Sequence, residues 1–301
     1  MELGREAERL GYDSAWVAEA WGADAVSLLA WLGASTTRIR LGSAVLQVAG
    51  RTAANTAMTA ATLDLLSGGR LLLGLGNSGP QVVSGWHGQE WDRPLERLRE
   101  YVETVRAVLR RDEIDLGGGG KPLRLMIEPL RPDLPIYVAA LAPKAVALAL
   151  AIGDGWLPIF WSPERARDVF PLHLAREGFD IAPLVRVAVG DDVEAARDSL
   201  KPGYAFYVGG MGSRTRNFYN DLMARFGYEA EAHEIQDLFL AGNHREAAAR
   251  VPDRFVDEVA LVGPTERIRD RLAAWRESGA TTMLVSTRDP AALRAVAEAA
   301  L

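Results

Sequence analysis

Short apolar runs alternate with longer helical patterns along nearly the whole chain, and this alternation narrows the choice of fold more than any other feature. It is the signature of strands buried in a largely parallel sheet and helices that cover them. Strands are expected at Ser14–Glu19, Leu41–Leu46, Leu71–Leu75, Ile136–Ala140, Trp156–Phe160, Leu184–Val189 and Thr282–Ser286. Helices are expected at Ala25–Ser35, Ala53–Leu66, Pro94–Arg110, Lys144–Ile152, Pro163–Glu177 and Thr265–Glu277, with a terminal helix from Pro290. An open doubly wound sheet can carry this many strands. The repeated pattern and a closing strand so near the C-terminus favour a (β/α)8 TIM barrel in a single domain over 1–301. The chain begins inside what would be helix one, so the first strand of that barrel is expected to be missing from it. Residues 113–132 are rich in Gly and Pro and read as a loop insertion; 201–254 read as a helical excursion before the last strand.

Composition closes off several classes of function. A net charge of -6 without a long basic run argues against nucleic acid or an anionic membrane as partner. Cysteine is absent, which excludes disulfides and thiolate catalysis. No apolar stretch reaches the roughly 18 residues that a bilayer span needs. With no secretory pattern after Met1, a cytoplasmic protein is expected. The four histidines, at 87, 173, 233 and 244, are scattered, and no metal site is expected.

The stretch LSGGRLLLGLGNSGPQVVSGWHG, Leu66 to Gly88, joins a helix end to an apolar strand and a Gly-rich exit. Gly74, Gly76 and Gly79 allow close backbone approach, and Asn77 and Ser78 add short polar donors. This is not the dinucleotide fingerprint, because the next helix is delayed past Pro80. From these residues alone, an ordinary turn and contact with a phosphorylated cofactor both remain open. Ala139–Ala149 reads as strand, turn and helix, with Pro143 in the first helical turn. Such an N-terminus suits a phosphate, and Lys144 either adds charge there or is simply solvated. Asp154 reads as a structural cap. Glu19 and Trp21 leave the first visible strand, and Trp21, Trp86, Trp91 and Trp161 are candidate walls for an apolar or aromatic substrate, with packing as the alternative for each. His87 is a candidate proton donor by residue type, beside Glu19.

Four blocks, LGYDSAWVAEAWGADAVS, TAATLDLLSGGRLLLGLGNSGPQVVSGWHG, RLREYVETVRAVLRRDE and LPIYVAALAPKAVALALAIGDGWLP, together resemble the luciferase-like flavin/deazaflavin family, above all its coenzyme F420-dependent oxidoreductases. The resemblance extends from Glu2 to the terminal helix. It implies a barrel that is usually dimeric, with the cofactor ring at the C-terminal ends of the strands. It also implies cofactor contact at Gly76, Asn77, Ser78 and Gly79, and a non-prolyl cis peptide at Ala44–Val45 backing the ring. The turn Ala142–Pro143–Lys144 would then help to hold the cofactor phosphate. Two departures stand out: Ala142 occupies a position where the family commonly has glycine, and Asn77 replaces the glutamate of a relative that oxidises a phosphorylated sugar.

The resemblance implies transfer of a hydride between the C5 of F420 and a small organic substrate. The alternative is a monooxygenase using reduced FMN, for which a partner flavin reductase is needed. A barrel without catalysis is a third reading. Hydride transfer itself requires orientation and dryness more than an acid or base. Homodimerisation is expected from the resemblance; substrate identity and reaction direction are left open.

Overall fold

In a computed structural model, which describes residues 2–300, the apolar run Leu71–Gly76 is a strand with all six residues buried. That is the burial expected of a strand covered on both faces. The chain divides into two compact units, one running up to Ala139 and including Ala151–Gly155, the other formed by Ala140–Leu150 and the chain from Trp156 onward.

The first unit contains α1 (Glu2–Arg9), β1 (Ser14–Val17), α2 (Ala25–Ala34), β2 (Arg40–Ser43), β3 (Leu46–Gln47), α3 (Ala53–Ser67), β4 (Leu71–Gly76), α4 (Pro94–Leu109) and β5 (Ile136–Val138). Its strands pair in parallel in the order β1-β2-β4-β5, with Ser14 opposite Arg40, Leu41 opposite Leu71, and Leu73 opposite Ile136. The expected strand Leu41–Leu46 is in fact two, because the chain breaks step at Ala44–Val45. Beyond the break, β3 pairs with the far end of β4, Leu46 opposite Leu75 and Gln47 opposite Gly76. At the break the Ser43 hydroxyl bridges to β4, donating to the Gly74 carbonyl at 2.9 Å and accepting from the Gly74 N–H at 2.8 Å.

Local chemistry explains the helix limits. The Asp24 carboxylate caps α2 by accepting from Ser27 N at 2.7 Å, and Thr52 caps α3 through Asn55 N at 3.2 Å. α3 ends at Gly68, whose φ of 69° is the left-handed conformation that glycine adopts without strain. Inside α3, Asp64 is 1% exposed. It accepts from the Leu71 N–H at 3.2 Å and from Arg131, which also donates to the Leu71 carbonyl at 2.6 Å. That pair pins the end of the 113–132 segment, within which Ile114 and Leu123 form an antiparallel bridge.

Next in the chain come α5 (Pro143–Ile152) and β6 (Gly155–Trp156). The rest of the second unit contains α6 (Ala166–Val169), β7 (Asp180–Ile181), β8 (Leu184–Val189), α7 (Val193–Ala205), α8 (Phe218–Arg225), α9 (Glu229–Leu240), α10 (His244–Ala249), α11 (Asp253–Val259), β9 (Ala260–Gly263), α12 (Thr265–Glu277), β10 (Leu284–Ser286) and α13 (Pro290–Ala300). β8 lies between β10 and β9 in parallel register, with Leu184 opposite Leu284 and Val189 opposite Gly263. β9 is fully buried and was not anticipated; its four residues follow α11 without a turn to announce them.

Two expected elements are much shorter than the pattern suggests. A helix over Pro163–Glu177 reduces to α6 and a 3-10 turn at Leu172–Leu174. Pro171 lacks the N–H a helix needs and disfavours helical backbone at Phe170, which is extended. A strand over Trp156–Phe160 stops at Trp156: Pro158 cannot donate to a ladder, and Phe160 has a φ of 56°.

Candidate active site

The ends of β1, β3 and β4 bring one group of functional side chains together in the first unit. The Ala44–Val45 peptide is cis, at the position where the resemblance places such a bond. The Val45 side chain reaches Gly76, which has no room for one of its own, since a Cβ there would lie 2.7 Å from Val45 Cγ2. Its steric role is therefore to admit Val45. Ser78 follows with a φ of 61°, and Gly79 leaves open space apart from Gln81. The Asn77 amide donates to the Pro94 carbonyl at 2.9 Å, tying the exit of β4 to the start of α4.

Gln47, next in β3, is 4% exposed yet polar. Its Nε2 donates to the Glu19 carbonyl at 3.2 Å, so its Oε1 faces His87 Nε2, 2.8 Å away. A reversed amide would set two acceptors against each other at Glu19. His87 therefore donates from Nε2, and Nδ1 carries the open lone pair. Gly50 lies beside that edge: a Cβ there would sit 3.1 Å from His87 Cε1 and 3.7 Å from Nδ1.

The Glu19 carboxylate is engaged by a cation and a backbone donor. It receives Arg51 Nη1 at 2.5 Å and Nη2 at 3.0 Å, together with the Ala25 N–H at 3.1 Å. Arg51 also meets Asp24 at 2.5 Å. The Glu19 hydrogen bonds raise the Arg51 guanidinium above its ordinary value, while the Ser27 hydroxyl, with Arg51 nearby, holds Asp24 below the usual carboxylate range. The Arg51 carbonyl accepts from Tyr101 at 3.0 Å, and Tyr101 pairs with Thr56 at 2.6 Å; burial pushes its phenol up. A cavity of about 460 Å3 opens beside this network, lined among others by Gly50, Arg51, Asn77, Trp91, Arg97 and Tyr101.

Of the four tryptophans expected to wall a pocket, Trp91 lines that cavity. Trp21 and Trp86 lie at the surface, 46% and 65% exposed. Trp161 is corrected to a core residue: it is fully buried in the second unit, stacked on Phe170 at 5.7 Å, and donates to Ser278 at 2.9 Å. Asp154 is a structural cap, accepting from Arg106 at 2.7 Å and from the Ile136 N–H at 3.0 Å.

The Ala142–Pro143–Lys144 turn belongs to the second unit, where α5 begins at Pro143 and Lys144 is exposed. No motif announces a second cation there. Arg225, from α8, donates through Nη2 to the Leu141 carbonyl at 2.7 Å, while its Nη1 is buried without a partner. Burial lowers the pKa of this guanidinium. A desolvated cation with an unused donor, next to a helix N-terminus, fits the phosphate of a bound cofactor. The residues present are therefore compatible with a phosphorylated deazaflavin.

The model of the luciferase-like monooxygenase family matches residues 1–282. The chain belongs to that family. Among other members, a Mycobacterium tuberculosis protein provisionally named a coenzyme F420-dependent oxidoreductase is 43% identical, over 97% of this chain and 93% of its own. The 5,10-methylenetetrahydromethanopterin reductase of Archaeoglobus fulgidus is 28% identical, over 93% and 87%. In structure, the coenzyme F420-dependent tetrahydromethanopterin reductase of Methanopyrus kandleri superposes with a TM-score of 0.83 at 21% identity, over 99% of this chain and 92% of that one. The luciferase-like (β/α)8 fold is therefore shared. Among the described residues no group of side chains is placed to hold a metal ion, and no helix is long and apolar enough to cross a membrane.

Proposed function

We propose that the chain is an F420-dependent oxidoreductase that moves a hydride between the deazaflavin and a small organic substrate. The near full-length identity to the mycobacterial protein carries this reading. The orphaned Arg225 Nη1 supports it from the structure. When bound, the deazaflavin supplies or accepts hydride at its C5. Everything else falls to the chain. Ala44 and Val45 back the ring, with Gly76, Asn77, Ser78 and Gly79 along its edge. Ala142, Pro143, Lys144 and Arg225 hold the phosphate. His87, fixed by Gln47, takes or gives at Nδ1 the proton that accompanies the hydride. Glu19, clamped by Arg51, is a positioning residue, and Trp21 and Trp86 meet the substrate.

Homodimerisation is part of this reading. Leu28 and Trp31 of α2 and Met58 and Leu65 of α3 are exposed, from 39% at Leu28 to 68% at Trp31, and α2 packs on α3. Apolar side chains exposed on adjoining helices support association through this face; native mass should be that of a dimer. Titration with oxidised F420 and with FMN, followed by ring fluorescence, tests the cofactor. Micromolar or tighter binding of F420 with weak FMN binding is the expected result. Preference for FMN would replace the reading with a reduced-FMN monooxygenase.

A further inference from the structure

The second unit holds a cation that the cofactor reading leaves unused. Arg186, in β8, has its guanidinium carbon 5.2 Å from the centre of the Tyr204 ring and 5.6 Å from that of Tyr207. Its Nε is buried without a hydrogen-bond partner, and no carboxylate among the described residues pairs with it. The chain carries 40 acidic residues against 34 Lys and Arg, so the missing partner does not reflect a scarcity of acids. Space has been kept for the head group: a Cβ on Gly203 would lie 2.4 Å from Nη1 and 2.9 Å from Cζ. A second orphan adjoins it. The Tyr204 hydroxyl is buried and unpaired, and the residue is 1% exposed. Around these two groups stand Phe160, 5.4 Å from Tyr204 between ring centres, together with Tyr219 and Phe255.

Two buried donors that face no acceptor cost folding free energy unless a ligand supplies one. A guanidinium fork matches the paired oxygens of a carboxylate or phosphate. The aromatic neighbours suit an apolar body attached to that group. We propose that Arg186 and Tyr204 form an oxyanion-binding site for a small organic acid, with Arg186 gripping the anion and Tyr204 donating its hydroxyl proton as a hydrogen bond. Naming that acid as the substrate rests on the hydride-transfer reading; the binding of the anion does not.

The test titrates the full chain with benzoate, inorganic phosphate and sulfate in chloride-free buffer by calorimetry, alone and with F420 bound. Arg186→Met and Tyr204→Phe are measured alongside, and F420 affinity is recorded for each. Millimolar or tighter benzoate binding is expected, weakened about tenfold or more by Arg186→Met, the loss of one charge-assisted hydrogen bond. Tyr204→Phe should weaken it about threefold to tenfold. Unchanged benzoate binding in Arg186→Met, or no anion binding by the parent, would each overturn the site. Competition between benzoate and F420 would reassign it to the anionic tail of the cofactor and overturn the substrate assignment. Failure of F420 to bind while benzoate still does would remove the oxidoreductase reading and leave the anion site standing.

Discussion

Gln47→Leu separates the order imposed on His87 from the general stability of the fold. The substitution keeps the volume nearly constant and deletes both amide contacts, 2.8 Å to His87 Nε2 and 3.2 Å to the Glu19 carbonyl. One net hydrogen bond is worth about 1 kcal/mol, and a buried group left without a partner costs about 1–3 kcal/mol. His87 is half-buried, so water recovers part of its loss, and the burial of leucine in place of an amide offsets part of the rest. A net destabilisation of about 1–2 kcal/mol results, seen as a fall in Tm of roughly 2–3 °C. The tautomer is the more specific readout. Losing about 1 kcal/mol of preference for Nε2–H lets the ratio of tautomers move by about fivefold. In long-range nitrogen–proton NMR spectra of the parent, His87 should show a single Nε2–H tautomer, and the variant a mixture. A parent ring protonated at Nδ1, or an unaltered tautomer in Gln47→Leu, would refute the positioning argument.

Other outcomes follow from contacts described above. Asp64→Ala leaves Arg131 without its buried partner and should destabilise by about 3–5 kcal/mol in urea unfolding. Arg225→Gln should weaken F420 binding about tenfold without changing the spectrum of the bound ring, and Arg225→Lys should recover part of that affinity. Asp24→Asn keeps a good helix cap but loses the charge that holds Arg51, and should cost about 0.5–1 kcal/mol at neutral pH given the exposure of Asp24. Because the folded carboxyl titrates below its unfolded value, that contribution is complete above the unfolded pKa. It disappears as pH falls through the folded one, so the stabilities of parent and variant should converge at acid pH. Trp86→Ala should raise KM for an apolar substrate and change stability by no more than about 0.5 kcal/mol, since the ring is 65% exposed.

Much of the architecture is legible from sequence because its causes are local. Leu71–Gly76 is an unbroken apolar run preceded by the helix-ending Gly68, and α12 keeps its expected limits of Thr265 and Glu277. Expectation fails where distant groups decide. The break between β2 and β3 is bridged by Ser43 to Gly74, thirty-one positions away, and the residue types of GSAVL do not announce it; only the family resemblance pointed to Ala44–Val45. Pro171 was the visible exception: its effect on the helix over Pro163–Glu177 is local, and the apolar spacing concealed it. At the candidate site, residue type points to His87 but not to Gln47, whose contact with it is a matter of burial. It ranked Glu19 as a possible acid without showing that Arg51 occupies it. Arg225 and Arg186 were illegible for a different reason, since each is distinguished by an acceptor it lacks.

The contact between Val45 and Gly76 has an evolutionary consequence. Val45 is admitted by the missing side chain at position 76: an added methyl on Gly76 collides with a methyl of Val45. Sequence drift at these two positions is therefore ordered. A lineage that trims Val45 to alanine first can accept alanine at position 76, whereas the opposite order passes through a clash. Descendants of this chain that keep Val45 should therefore keep Gly76.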